Sequence, residues 1–219
     1  MAETATHRTK TELALQILRD RIRTGALEPG RRLRLNLLTA ELGMSPTPIR
    51  EALRLLQADG LVTYRPHQGI VVAELSEPQT AEVIRLRCLL EGSAVELAVA
   101  SLASARLREL ERLHQRFLGA IEDGRGRDIV GGNETWHHAL YEGSESPLLC
   151  EFIRRLWDVY PWRTMWVLPG RVEQSAREHE EIMEAARAAD PTRAADRMRT
   201  HIAGGLISLA TMPELSSAT

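Results

Sequence analysis

The chain has 219 residues, 43% hydrophobic and 26% charged. That is enough for one large domain or two small ones, and too apolar for general disorder. Aromatics are 4%, Ala, Leu, Arg and Glu dominate, and this balance favours helices. Two cysteines, Cys88 and Cys150, without a CxxC pair, argue against a disulfide framework and for a reducing cytosol. The opening residues lack an apolar targeting core, and no uncharged apolar run of about 18 residues exists, so no membrane span is expected.

The net charge of −2 hides an asymmetry: residues 1–75 hold 11 Lys/Arg against 8 Asp/Glu, and the remainder 17 against 22. A basic first third on an acidic remainder suits a nucleic-acid-facing module, although ordinary surface variation also produces such a difference. Lys10 is the only lysine among the 28 basic residues, which reads as compositional bias.

In chain order, Leu13, Ile17, Leu18 and Ile22 mark a helix over residues 10–24. "GALEPG" interrupts the chain, and a second helix over 35–42 stops at Gly43. Ser45 is a good N-cap for a third helix, with Pro46 and Pro48 at its first and third positions. The amides there have no intrahelical partner, so their loss costs little and the helix start is stiffened. Ile49, Ala52, Leu53 and Leu56 share one face, expected to be buried, while Thr47, Arg50 and Arg54 lie opposite. A hydroxyl, a guanidinium and free N-terminal amides together suit phosphate oxygens and guanine edges. After Gly60, "LVTYR" and "GIVVA" read as a hairpin, with Arg65, His67 and Gly69 at its tip. The spacing is that of a winged helix-turn-helix. A capped surface helix beside a small hairpin, with solvated arginines, is the plainer alternative.

The stretch "LNLLTAELGMSPTPIREALRLLQADGLVTYRPHQGIVV" resembles the winged helix of the GntR family of bacterial transcription regulators. The resemblance covers nearly all of residues 10–75. It implies DNA contacts from Asn36, Ser45, Thr47, Arg50 and Gly69. Pro46 stands where some members carry a base-reading arginine, which leaves the operator sequence open.

Beyond the linker "ELSEPQ", where Ser76 and Gln79 could form a capping box, helices are expected over 77–101, 104–122, 127–142, 146–160, 169–189 and 191–210, a six-helix bundle. Pro161 is expected to end or kink the fourth. Asn133 and His137 are i and i+4 on one face. His179 shares a stripe with Ile182 and Met183, and His201 with Met198 and Ile202. Three imidazoles directed inward either meet to hold one metal ion or sit as separate core histidines bonded to backbone. His138 is expected to point outward, and His7, His67 and His114 to be solvated or in loops.

"RLRCLLEGSAVELAVA", "NETWHHALYEGSESPLL" and "EHEEIMEAARAADPTRAADRMRTHI" are similar to the helical ligand-binding FCD domain of FadR-like GntR regulators. The resemblance implies a divalent metal such as zinc or nickel on Asn133, His137, His179 and His201. The first of these is commonly aspartate, and asparagine brings no charge. It also places Arg87 in the effector pocket, although a salt bridge from Arg87 to Glu91, its i+4 neighbour, is the plainer reading. An ion held by neutral groups would favour an anionic ligand, hence a small carboxylate effector.

The sequence is thus read as mainly α, with a winged helix-turn-helix DNA-binding domain over 1–75 and an all-α effector-binding and dimerisation domain over 76–219. The function expected is a cytoplasmic, ligand-responsive regulator on a palindromic operator, acting as a homodimer. Repression is the mode implied, with activation left open. The alternatives are a metal-sensing regulator and a metal-dependent hydrolase. The latter lacks HExxH, and Glu134 should point away from the histidine face.

Overall fold

A computed structural model describes residues 9–159 and 170–210. Pro161 and His7 lie outside them. The chain forms two compact units, one running to Ser76 and the other starting at Glu77.

In the first unit, α1 (Lys10–Arg23), α2 (Leu35–Leu42) and α3 (Pro46–Ala58) precede β1 (Val62–Arg65) and β2 (Gly69–Val72). Thr9 opens α1 with a capping box: its hydroxyl accepts from Glu12 N–H and its own N–H donates to the Glu12 carboxylate. Gly43 ends α2 in the left-handed conformation, φ 61°, which a side chain adopts at a cost. That glycine makes the tight turn between α2 and α3. Ile49, Ala52, Leu53 and Leu56 are buried as expected, and α3 packs on α1, whose Ala14 and Leu18 are buried as well.

β1 and β2 pair antiparallel, Val62 with Val72 through Arg65 with Gly69. His67 (φ 64°) and Gly69 (φ 78°) turn the chain between them. An added feature is the segment at Arg31–Leu33, which bonds along the open edge of β2 through Val72 N–H to Arg31 O and Leu33 N–H to Ile70 O. The edge of a two-stranded wing is thereby covered.

In the second unit the described residues form α4 (Glu77–Ala100), α5 (Ser104–Glu122), α6 (Gly126–Glu142), α7 (Pro147–Val159), α8 (Arg171–Arg187) and α9 (Pro191–Ala210). These bounds lie within two residues of the sequence expectation. α4 packs along α9, α5 along α6, and α8 along α9. Ala94, Val95, Ala98 and Val99 of α4 are buried, and small residues there let the helix axes approach. Among the described residues no helix is long and apolar enough to cross a membrane.

Candidate metal centre and nucleic-acid interface

The start of α3 presents an exposed polar edge. Ser45, Pro46, Thr47 and Arg50 are exposed, and so is Asn36 on α2. Ser45 occupies the N-cap position with extended backbone, but its side chain makes no cap hydrogen bond. The reason is local: Pro48 stands at N3, where the N–H that a capping serine accepts is missing. Arg54 is exposed and donates to Glu51 at 3.2 Å. Gly69 opens β2 beside the turn.

The inner face of α6 places Asn133, His137 and Tyr141 at four-residue intervals, each 1–2% exposed. α8 contributes His179, fully buried, and α9 contributes His201, 6% exposed. His137 Nε2 lies 3.1 Å from His179 Nε2 and 3.2 Å from His201 Nε2. The three rings are one cluster, with all ligand atoms within 4.8 Å of one another.

Neighbouring side chains determine which ring nitrogens carry protons. His201 Nδ1 lies 2.7 Å from a Glu178 carboxylate oxygen and donates to it. Glu178 also accepts from Arg171 at 2.8 Å and from Gln174 at 2.8 Å. Burial raises its carboxyl, but the hydrogen bonds and charges of His201 and Arg171 outweigh this and hold it below its ordinary value. His137 Nδ1 lies 2.7 Å from the Tyr141 hydroxyl. Burial is the main cause that pushes His137, His179 and His201 below the ordinary imidazole range, so they are neutral at pH 7. A neutral ring with Nδ1–H leaves Nε2 bare. Bare nitrogens this close repel unless a cation lies between them. Ligands of one ion at roughly 2.0–2.1 Å stand about 3 Å apart.

The buried Asn133 Oδ1 has no hydrogen-bond partner, an orphaned acceptor that a bound cation would satisfy. Three imidazole nitrogens and an amide oxygen suit a divalent transition metal. His179 lacks a partner on Nδ1 and is held instead by rings, stacked on Trp136 at 4.2 Å between centroids.

Arg87 is buried and pairs with Glu91, Nε to Oε1 at 2.6 Å. The salt bridge that the spacing allowed is therefore formed, and it compensates the charge expected to attract an effector. Glu134 is drawn to His138, 3.9 Å away. His138 is half-buried rather than outward, its ring 4.8 Å from Trp157.

His114 departs from expectation. It is 1% exposed, 3.1 Å from Glu180 and 6.0 Å between ring centroids from His179. It continues the Leu110, Phe117 and Ala120 stripe of α5, a periodicity that marks it as core. Tyr141, Trp157 and Glu178 were also missed, and Glu91 was foreseen only as the partner of Arg87. Of the three missed residues only Tyr141 carried a signal, its four-residue offset from His137.

The FCD domain model matches residues 82–204, and the model of bacterial regulatory proteins of the gntR family matches residues 10–72. The chain is 39% identical over 148 residues to the HTH-type transcriptional regulator McbR of Escherichia coli K12, covering 66% of this chain and 67% of that one. It is 30% identical over 215 residues to a probable D-xylose utilization operon transcriptional repressor of Paenarthrobacter nicotinovorans, covering 94% and 92%. The solved structure of E. coli McbR/YncC superposes with a TM-score of 0.83 at 29% identity, covering 93% of this chain and 98% of that one. These relatives are transcription regulators rather than enzymes. With a gntR-type helix-turn-helix followed by an FCD domain, the chain belongs to the GntR family of bacterial transcription regulators, in its FadR-like FCD subgroup.

Proposed function

We propose that this regulator is a cytoplasmic repressor that holds a palindromic operator as a homodimer and answers a small carboxylate through a divalent metal in its bundle. The convergence of three Nε2 atoms, with the orphaned Asn133 oxygen one helical turn from His137, carries the metal part of this reading. Asn133, His137, His179 and His201 would hold the ion, which when bound supplies Lewis-acid charge. That charge, uncompensated by neutral ligands, draws an anion. Arg87 lies near this cluster, but its charge is matched by Glu91, so the pull on a carboxylate rests on the metal.

The DNA-binding part assigns residues 1–75 to the operator. Thr47 and Arg50 read bases, and Asn36, Ser45, Arg54 and Gly69 contact the backbone or base edges. Residues 76–219 take the effector and dimerise. Exposed Leu86, Leu89 and Leu97 on one side of α4, with Leu148 and Phe152 on α7, offer apolar surface for a second copy. Repression is supported by the xylose-operon relative, and a cytoplasmic site by the unpaired thiols of Cys88 and Cys150.

Elemental analysis of protein purified without chelator, followed by calorimetric titration of a carboxylate panel with and without metal, tests the reading. One bound metal and metal-dependent carboxylate binding are expected. Binding of neutral or cationic compounds alone would overturn the carboxylate assignment. The depth of the histidines, none more than 6% exposed, favours a second reading in which the metal is itself the signal. Operator affinity that answers metal with no organic compound present would select it.

A further inference from the structure

Glu91 is completely buried in the middle of α4, and three side chains converge on it. Arg87 donates from Nε to Oε1 at 2.6 Å and from a terminal nitrogen to Oε2 at 3.3 Å. Trp157 Nε1 donates to Oε1 at 3.1 Å. The Tyr141 hydroxyl donates to Oε2. A carboxylate paired with a guanidinium accepts and cannot donate. Tyr141 has a single proton, and Glu91 takes it. The phenol oxygen therefore accepts from His137, whose Nδ1 is 2.7 Å away. The proton of neutral His137 is then on Nδ1, and its Nε2 is bare where it faces His179 and His201.

The two anchored histidines differ here. His201 donates directly to a carboxylate, which has no other polarity to adopt. His137 reaches its carboxylate through a phenol, and a hydroxyl can reverse. The reversed chain would have Tyr141 donate to Nδ1 and would put the His137 proton on Nε2, blocking the cluster.

We propose that Glu91 is a positioning residue for the metal cluster: as the acceptor at the end of the His137–Tyr141–Glu91 chain, it fixes the direction of both hydrogen bonds and so leaves His137 Nε2 able to ligate. Its purpose rests on the metal reading above, but the proton's position is measurable without any metal.

Glu91→Gln is the sharpest variant, because the two shorter donations, from Arg87 Nε and Trp157 Nε1, both reach Oε1, against one longer Arg87 contact to Oε2. They would hold the amide oxygen there and turn the NH2 group toward Tyr141. The amide then donates to the phenol oxygen, the phenol proton turns to His137 Nδ1, and the imidazole proton moves to Nε2. Nitrogen-15 spectra of the metal-free full chain, with His137 assigned from its loss in His137→Gln, report the tautomer. Wild type is expected to carry Nδ1–H, Glu91→Gln to carry Nε2–H, and Tyr141→Phe to populate both. Titration with Co2+ is expected to show affinity reduced about 10–100-fold in Glu91→Gln.

Nε2–H in the wild type, or an unchanged tautomer in a folded Glu91→Gln, overturns the proposal. If Glu91→Gln does not fold, Tyr141→Phe decides, since it removes only the hydroxyl: an unchanged tautomer there overturns the proposal equally. If the tautomer reverses but Co2+ binds neither protein, the metal reading falls, and what stands is the control of the His137 proton by Glu91.

Discussion

The two units handle polar side chains in opposite ways. Among the described residues, all nine buried polar or charged residues belong to the helical bundle, and the winged helix has none. The winged helix buries aliphatic side chains behind α3 and leaves Thr47 and Arg50 in solvent. A group that reads an external partner needs no internal one, so such a surface is compatible with a simple apolar core. The bundle instead supplies Glu91, His137 and His201 with donors and acceptors, because a buried polar group without a partner is costly. The contrast separates recognition at a surface from retention in an interior, and substitutions in the two units should differ accordingly.

The largest effect is expected from Glu91→Ala. It strands the Arg87 guanidinium in the bundle core, and breaking one side of a buried pair costs about 3–5 kcal/mol. Thermal or urea unfolding measures this, and a loss below 1 kcal/mol would mean that water reaches Arg87. Acid should act on the same unit. Burial holds His137, His179 and His201 below their ordinary value of 6.5. As pH falls the unfolded chain takes up protons first, so this contribution is complete above 6.5 and declines below it. Unfolding of chelator-treated protein from about pH 7.5 to 5.5 should show falling stability, and a flat profile would contradict neutral buried rings.

The winged helix should respond in binding rather than in stability. Arg50→Ala is expected to weaken operator binding by about 1–3 kcal/mol if the guanidinium reads a guanine, with unfolding changed by less than about 0.5 kcal/mol. A pure phosphate contact would instead lower the salt slope by about one for every sequence tested. The smallest stability effect belongs to Ser45→Ala. Removing a capping serine ordinarily costs about 1 kcal/mol, but here the cap bond is absent. The expected change is below about 0.5 kcal/mol, so a full capping loss would show that the hydroxyl bonds the helix in solution.

What could be read along the chain was what depends on near neighbours. Helix limits, the Gly43 turn, the hairpin and the buried face of α3 follow from apolar period and turn chemistry, which act over a few residues. Asn133 and His137 were readable as a pair because one helical turn joins them. The Arg87–Glu91 salt bridge was readable for the same reason. Packing alone decided that Glu178 bonds His201 rather than facing solvent. It also placed Tyr141 and Trp157 on Glu91, set Glu180 beside His114, and laid Arg31–Leu33 beside β2. Those partners lie tens of residues apart. Their meeting depends on how helices and strands stack, and periodicity within one element carries no record of its neighbour's position.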